Sequence, residues 1–345
     1  MRLIILLSLL LTAACSQPPN KPITHHFLAF GTLVDLTLQG VDQKKADEVT
    51  AIIEEDFRLM HHSWHAWDPG PLGRVNRLIP SGEPFSVPPS VLPLIKIGTE
   101  LAEQSGNRFN PAIGQLISLW GFHSSDPKGW TPPSDEAVQK LLQANPRMTD
   151  ISFNGVLMQS SNPTVDLDFG AFGKGYGIDL AMEHIKELGI SNAILNAGGD
   201  LRAIGSRNGQ PWRIAIRNPD GDNPLALLKV EGDESIFTSG DYERKYSYKG
   251  KRYHHIIDPR SGYPAEGTRS VTVLHDNATR ADAAATALFV AGPDEWFQVA
   301  QAMGIRHVLL LDSDNIIHMS PAMAERTEIL INNPTIKISA ALGKL

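Results

Sequence analysis

The sequence predicts an α+β fold, and three observations carry that prediction. Apolar residues recur at spacings of three and four over residues 44–60, 91–105 and 173–188, which gives helices with one buried face. Residues 193–195, 212–216, 225–230, 235–238, 246–248 and 271–274 are short β-rich runs separated by turns such as Asn218-Pro219-Asp220-Gly221. No linker-like stretch divides residues 25–345, so helices and strand runs belong to one domain.

Taken in order, residues 27–38 alternate as a single strand around Leu33, Val34, Asp35 and Leu36. The helix over 44–60 follows, with Val49, Ile52, Ile53, Phe57 and Met60 on one face. Residues 68–89 are studded with Pro and Gly and read as loop. The helix over 91–105 stops before Gly106, and that over 173–188 stops at Gly189. After the strand-rich stretch, an Ala-rich helix covers 281–290.

The 345 residues are 42% hydrophobic and 20% charged, the composition of a globular protein. With 31 Lys and Arg against 38 Asp and Glu, the net charge of −7 excludes recognition of nucleic acid through a basic surface. The single cysteine, Cys15, excludes an internal disulfide framework and a thiolate metal cage. Residues 1–14 read as a secretory signal peptide: Arg2, an apolar run over 3–11, then Thr12, Ala13 and Ala14. Cys15 directly after them resembles a lipobox cysteine. The expectation is a lipid anchor at Cys15, a polar Pro-rich tether over 15–24, and a folded domain facing the periplasm from a bacterial membrane.

Four constellations could carry chemistry. In the stretch from Asp168 to Asp179, Gly173, Gly175 and Gly177 flank Lys174 at a loop-to-helix junction, which suits a phosphate or simply a tight turn. Asn196-Ala197-Gly198-Gly199-Asp200 allows close backbone approach or makes a turn. Asp282 and Thr286, four apart among alanines, place two hard oxygen groups on one helical face, fit for Mg2+ or for local capping. Ser239 to Arg244, followed by His255 to Gly262, offers a histidine as general base. The cluster His61, His62 and His65 fits no standard metal spacing and reads as a solvated face.

Together with Phe30-Gly31-Thr32, residues 67–76 and residues 111–120, these blocks occur in an order that resembles the ApbE family of FAD:protein FMN transferases. The resemblance implies a T-fold-like α+β domain and Mg2+-dependent transfer of FMN from FAD to a Thr or Ser hydroxyl, with release of AMP. The acceptor would be a protein with a flavinylation motif, such as a subunit of a membrane redox complex. It further implies metal ligation by Asp282, Thr286 and the main-chain carbonyl of Ala171, and FAD contacts by Phe30, Trp67, Arg108, Phe109, Asn110, Asp168, Lys174, His255 and Ile256; His255, whose side chain titrates near neutrality, is the candidate base for the hydroxyl proton. Trp67 stands where the family commonly has Tyr, with Trp64 as competitor, and Asn110 where Asp is usual. An FAD pyrophosphatase and a non-catalytic flavin-binding lipoprotein are the alternatives.

Overall fold

The computed structural model describes residues 21–123 and 130–343, so the signal-peptide reading, Cys15 and most of the tether lie outside the described residues. The chain opens with β1 (Ile23–Ala29) and β2 (Thr32–Leu38), paired antiparallel from Ile23↔Leu38 to Ala29↔Thr32. The single strand predicted over 27–38 is therefore corrected to a hairpin. Its reversal falls at Phe30 and Gly31, both at positive φ, 50° and 70°, the backbone that a two-residue turn between twisted strands requires. Alternation of apolar residues continues through the turn, so the pattern alone does not reveal it.

Helix α1 (Gln43–Trp64) is capped by the Asp42 carboxylate, which accepts a hydrogen bond from the Lys45 amide at 2.8 Å. Residues 68–89 are corrected from loop to a stretch that includes α2 (Pro71–Leu78) and β3 (Phe85–Ser86). Pro71 starts the helix rather than breaking it, because the first turn has no use for its missing N–H. Next come α3 (Leu92–Gln104), α4 (Gly114–Leu119), α5 (Asp135–Ala144), β4 (Ile151–Asn154), β5 (Leu157–Ser160) and α6 (Gly173–Glu187).

The strand-rich half runs β6 (Ala193–Ala197), β7 (Asp200–Ile204), β8 (Trp212–Ile216), β9 (Ala226–Val230), β10 (Glu234–Gly240), β11 (Lys245–Tyr248), β12 (Lys251–His254) and β13 (Thr268–His275). Helix α7 (Ala278–Ala302) follows, kinked at Gly292 where φ is 70°. Then come β14 (His307–Asp312), β15 (Ile316–Met319), α8 (Pro321–Arg326), β16 (Thr327–Ile329) and β17 (Thr335–Ile338).

Nine strands form one sheet in the order β1-β2-β6-β7-β10-β13-β14-β15-β17, antiparallel throughout except between β15 and β17. An α+β architecture with mostly antiparallel pairing is what the sequence predicts. One sheet face packs against α1, α6 and α7 in a core that includes Leu36, Phe57, Ile178, Val273 and Leu288. The opposite face of β7, β10, β13 and β14 is covered by the small sheet β16-β9-β8 through Leu201, Leu228, Ile236 and Leu309. Ala281, Ala283, Ala284, Ala285 and Ala287 are all buried, so the start of α7 runs through the interior. Small side chains are what permit a helix to lie that close to both α6 and the sheet.

Candidate active site

The glycines of the Lys174 segment act mainly through packing. They lie inside the first two turns of α6, not in the preceding loop. A Cβ on Gly175 would lie 2.4 Å from the Ala278 carbonyl oxygen and 2.8 Å from the Asp282 Cβ, so only glycine lets α6 and α7 approach this closely. Gly177 makes room in the same way for the Phe30 ring. The close approach lets the Gly175 amide donate to Asp282 Oδ2 at 2.9 Å. Capping of α7 by Asp282 is thereby excluded: Asn277 is the cap, accepting from the Arg280 amide at 2.7 Å, and Asp282 reaches across to α6. One turn on, Thr286 Oγ1 lies 3.3 Å from Ser239 Oγ.

Lys174 is ion-paired with Asp200, which starts β7 and also accepts from the Thr238 amide at 2.9 Å. Burial disfavours the lysine charge, but Asp200, Asp282 and Glu243 override it and hold the ammonium above its ordinary pKa. The carboxylates are affected the other way. Burial raises Asp282 well above the usual range, with the charges of Asp200 and Glu243 adding to it against Lys174. Glu243 is raised to about 7, first by packing among protein groups and then by Asp200, with Lys174 opposing. Lys174 thus faces three carboxylates beside the N-terminus of a helix, and the charges of Arg217 and Arg244 also act on Glu243.

His255 borders the same ground. Its amide donates to the Arg244 carbonyl at 3.0 Å, and its Nδ1 is buried with no hydrogen-bond partner. Burial, then the neighbouring Arg244 charge, pushes the imidazole down to about 3. Arg244 in turn donates to the Phe122 carbonyl. Asp168 has its carboxyl raised by burial, although the Gly170 amide donates to it at 2.7 Å and Arg244 opposes the shift. The turn carrying Asp168 and Ala171 is held from outside: Asn76 on α2 donates to the Leu167 carbonyl and accepts from its amide, both at 2.9 Å. Closure by the Gly173 amide to the Phe169 carbonyl at 2.6 Å completes it.

The aromatic residues separate by environment. Phe30 stacks on Trp64, with ring centroids 6.0 Å apart and planes 5° apart, and Trp64 Nε1 donates to the Ser90 carbonyl at 2.8 Å. Trp67 is 38% exposed and meets His65 and His123 edge-on. Arg108 pairs with Glu295 at 3.1 Å, Phe109 is buried against Phe172, and the Asn110 amide donates to Pro146 O at 2.9 Å while its oxygen accepts from Ala112 N at 3.0 Å. Ile256 is buried in the main core. The structure thus brings Lys174, Asp282 and Thr286 together with Asp200, Ser239 and Glu243. It ties Arg108, Phe109, Asn110 and Ile256 into the surrounding scaffold.

The sequence does not reveal Asp200 and Glu243 as partners of Lys174, although both lie in the constellations named above. A charged residue directly after paired glycines at a strand start was the available signal for Asp200. Among the described residues no group of three or more His, Cys, Asp or Glu is arranged to hold a metal ion, and this includes the cluster at His61, His62 and His65. Asp282 and Thr286 supply two hard oxygen groups, and the raised carboxyls of Asp282 and Glu243 fit a cation whose shell main-chain and substrate oxygens would complete.

The sequence profile of the ApbE family matches residues 30–309. A protein of Rhodobacter capsulatus named FAD:protein FMN transferase is 41% identical over 314 residues, which is 90% of this chain and 59% of that protein. One of the same name from Vibrio cholerae is 31% identical over 91% of this chain and 94% of its own length. The solved ApbE protein of Thermotoga maritima superposes with a TM-score of 0.80 at 30% identity, covering 89% of this chain and 99% of that one. The flavin transferase ApbE of Vibrio cholerae gives 0.77 at 27%, covering 89% of this chain and all of its own. The relatives so named are transferases, and with four-fifths of its length matched by the family profile this chain belongs to the ApbE family.

Proposed function

We propose that this protein is an FAD:protein FMN transferase: a Thr or Ser hydroxyl of an acceptor protein attacks the FMN-side phosphorus of FAD, a P–O bond to the acceptor forms, and AMP leaves. The observation that carries this reading is the convergence of Lys174 with Asp200, Asp282 and Glu243 at the start of α6. Phosphoryl transfer asks the protein chiefly to position reactants and neutralise charge. Lys174 and the positive end of the α6 dipole offer favourable charge to a pyrophosphate. Asp282, Thr286 and the Ala171 carbonyl would hold Mg2+, which when bound supplies further positive charge to the phosphate oxygens.

His255 is the base in this proposal. Its Nδ1 has no protein partner and the ring is neutral near pH 7, although its depressed pKa weakens it as a base. A pyrophosphate nearby would oppose the Arg244 charge and raise the affinity of the ring for that proton. Lipid anchoring through Cys15, with the domain facing the periplasm, belongs to the same proposal. No helix among the described residues is long and apolar enough to cross a membrane. A Cys15→Ala variant that still partitions with membranes would remove the anchoring part.

The test is the intact mass of a flavinylation-motif acceptor after incubation with the protein starting at residue 16, FAD and Mg2+. An FMN-sized gain, abolished by EDTA, is expected. AMP release without that gain identifies a pyrophosphatase. Bound FAD with no AMP leaves a flavin-binding protein.

A further inference from the structure

The two helices that carry the site are joined by a carboxylate with no part in the chemistry above. Asp179 lies on α6 and is 9% exposed. Its Oδ1 accepts from the Ala278 amide at 2.9 Å, and its Oδ2 from the Thr279 amide at 2.8 Å and the Thr279 hydroxyl at 2.6 Å. Arg202 Nη1 donates to Oδ1 at 2.7 Å, and Arg202 stands on β7 two residues beyond Asp200. One buried carboxylate therefore connects α6, which carries Lys174, to β7, which carries Asp200, and to the start of α7, which carries Asp282 and Thr286.

We propose that Asp179 is a positioning residue that fixes the register of α7 against α6 and so holds Asp282 and Thr286 opposite Lys174. Asn277 caps α7 from its own chain direction through the Arg280 amide, which leaves the two preceding amides to be taken by Asp179. A negative group at a helix N-terminus is favoured by the helix dipole, and here it is delivered from a neighbouring helix, so capping and helix–helix alignment are one interaction. The contact at Gly175 leaves no slack: a small slide of α7 would bring Ala278 into the α6 backbone or take Asp282 off the Gly175 amide.

The inference rests on the transferase reading only for its kinetic part, and the test uses Asp179→Asn, which keeps shape but cannot accept from all four donors. In the metal-free variant, amide hydrogen exchange over residues 278–286 is expected to speed up at least tenfold while residues 234–240 stay unchanged. Its dissociation constant for Mn2+, used as a probe for Mg2+ and read by electron paramagnetic resonance per folded protein, is expected to rise at least fivefold. The kcat for FMN transfer falls more than KM for FAD rises. Asp312→Asn is the control, since Asp312 is buried and bonded to His318, Asp314 and Ile316; it is expected to lower Tm without altering Mn2+ affinity. If Asp179→Asn does not fold, Thr279→Val removes one of the four bonds and is expected to act in the same direction with smaller size. Unchanged exchange over 278–286, or Mn2+ affinity equal to wild type, overturns the proposal. A wild-type protein that transfers no FMN would sink the transferase reading while exchange still decides the role of Asp179.

Discussion

Two clusters of partly buried charge share α6 and β7, yet they are built on opposite terms. In the first, Arg202 donates to Asp179 at 2.7 Å, to Asp233 at 2.7 and 2.9 Å and to Glu183 at 3.2 Å, and Lys186 donates to Glu183 at 2.8 Å and Asp233 at 2.6 Å. Every carboxylate there is met by a cation through a direct hydrogen bond. In the second, Lys174 pairs with Asp200, while Asp282 is bonded to one backbone amide and Glu243 meets Lys174, Arg217 and Arg244 through their fields. The complete network resembles a structural device, since buried charges are tolerated when fully paired. The incomplete one holds carboxylates at raised pKa values, and such perturbed groups concentrate where a protein binds charge from outside. What separates scaffold from site in this molecule is therefore charge completion, more than depth.

The largest expected effect breaks that contrast directly. Asp282→Asn keeps an oxygen for the Gly175 amide but removes a charge from the incomplete cluster. FMN transfer, read as AMP release at limiting Mg2+, should fall on the order of 10²–10³-fold, the scale of losing one electrostatic contact to a reacting group. Unfolding free energy in urea should stay level or rise, because a like-charge conflict is relieved. A large loss of stability would show that the second cluster is scaffold after all.

Arg202→Met tests the other side. Removing the cation leaves buried Asp179 without its charged partner, while Asp233 keeps Lys186, and urea unfolding should show a loss of about 3–5 kcal/mol. Gly175→Ala comes next. The added methyl meets backbone rather than a flexible side chain, so α6 and α7 must part, at a cost of about 1–3 kcal/mol together with weaker Mn2+ binding.

His255→Gln sharpens the comparison through pH. The ring titrates near 6.5 when unfolded and about 3 when folded, so the unfolded chain binds the extra proton between those values. Stability contributed by the neutral buried ring is complete above pH 6.5 and is lost as pH falls toward 3. Denaturation midpoints of wild type should therefore drop more steeply over that window than those of His255→Gln; parallel curves would show that the ring is not buried neutral. Trp67→Ala should have the smallest effect on stability, below about 0.5 kcal/mol as for most surface changes. A fall in FAD affinity in that variant, set beside Trp64→Ala, decides which indole faces the flavin.

Much of the helical frame can be read directly: α6 follows from apolar periodicity and the first part of α7 from its run of alanines, and Trp212 and Ile216 bound β8 from its residues alone. The turn at Phe30 could not, because a phenylalanine at positive φ carries no turn signal and is held there by Phe57, Trp64 and Gly177. Likewise α2 was hidden behind Pro71 and its flanking glycines, whose meaning depends on whether the proline starts or interrupts a helix. Asp282 and Thr286 could be singled out as a pair because four-residue spacing is a local property of a helix.

What the sequence by itself determined was the set of chemical groups and their local order: hard oxygens on one helical face, a lysine among glycines, a histidine in a polar loop. Only the tertiary structure decided which charges meet. Lys174, Asp200 and Asp282 come from three separate elements and Glu243 from the turn between β10 and β11, and Lys174 and Asp282 share a field because Gly175 lets two helices close to backbone contact. Electrostatic coupling depends on distance and burial, and neither is a property of any short stretch of chain.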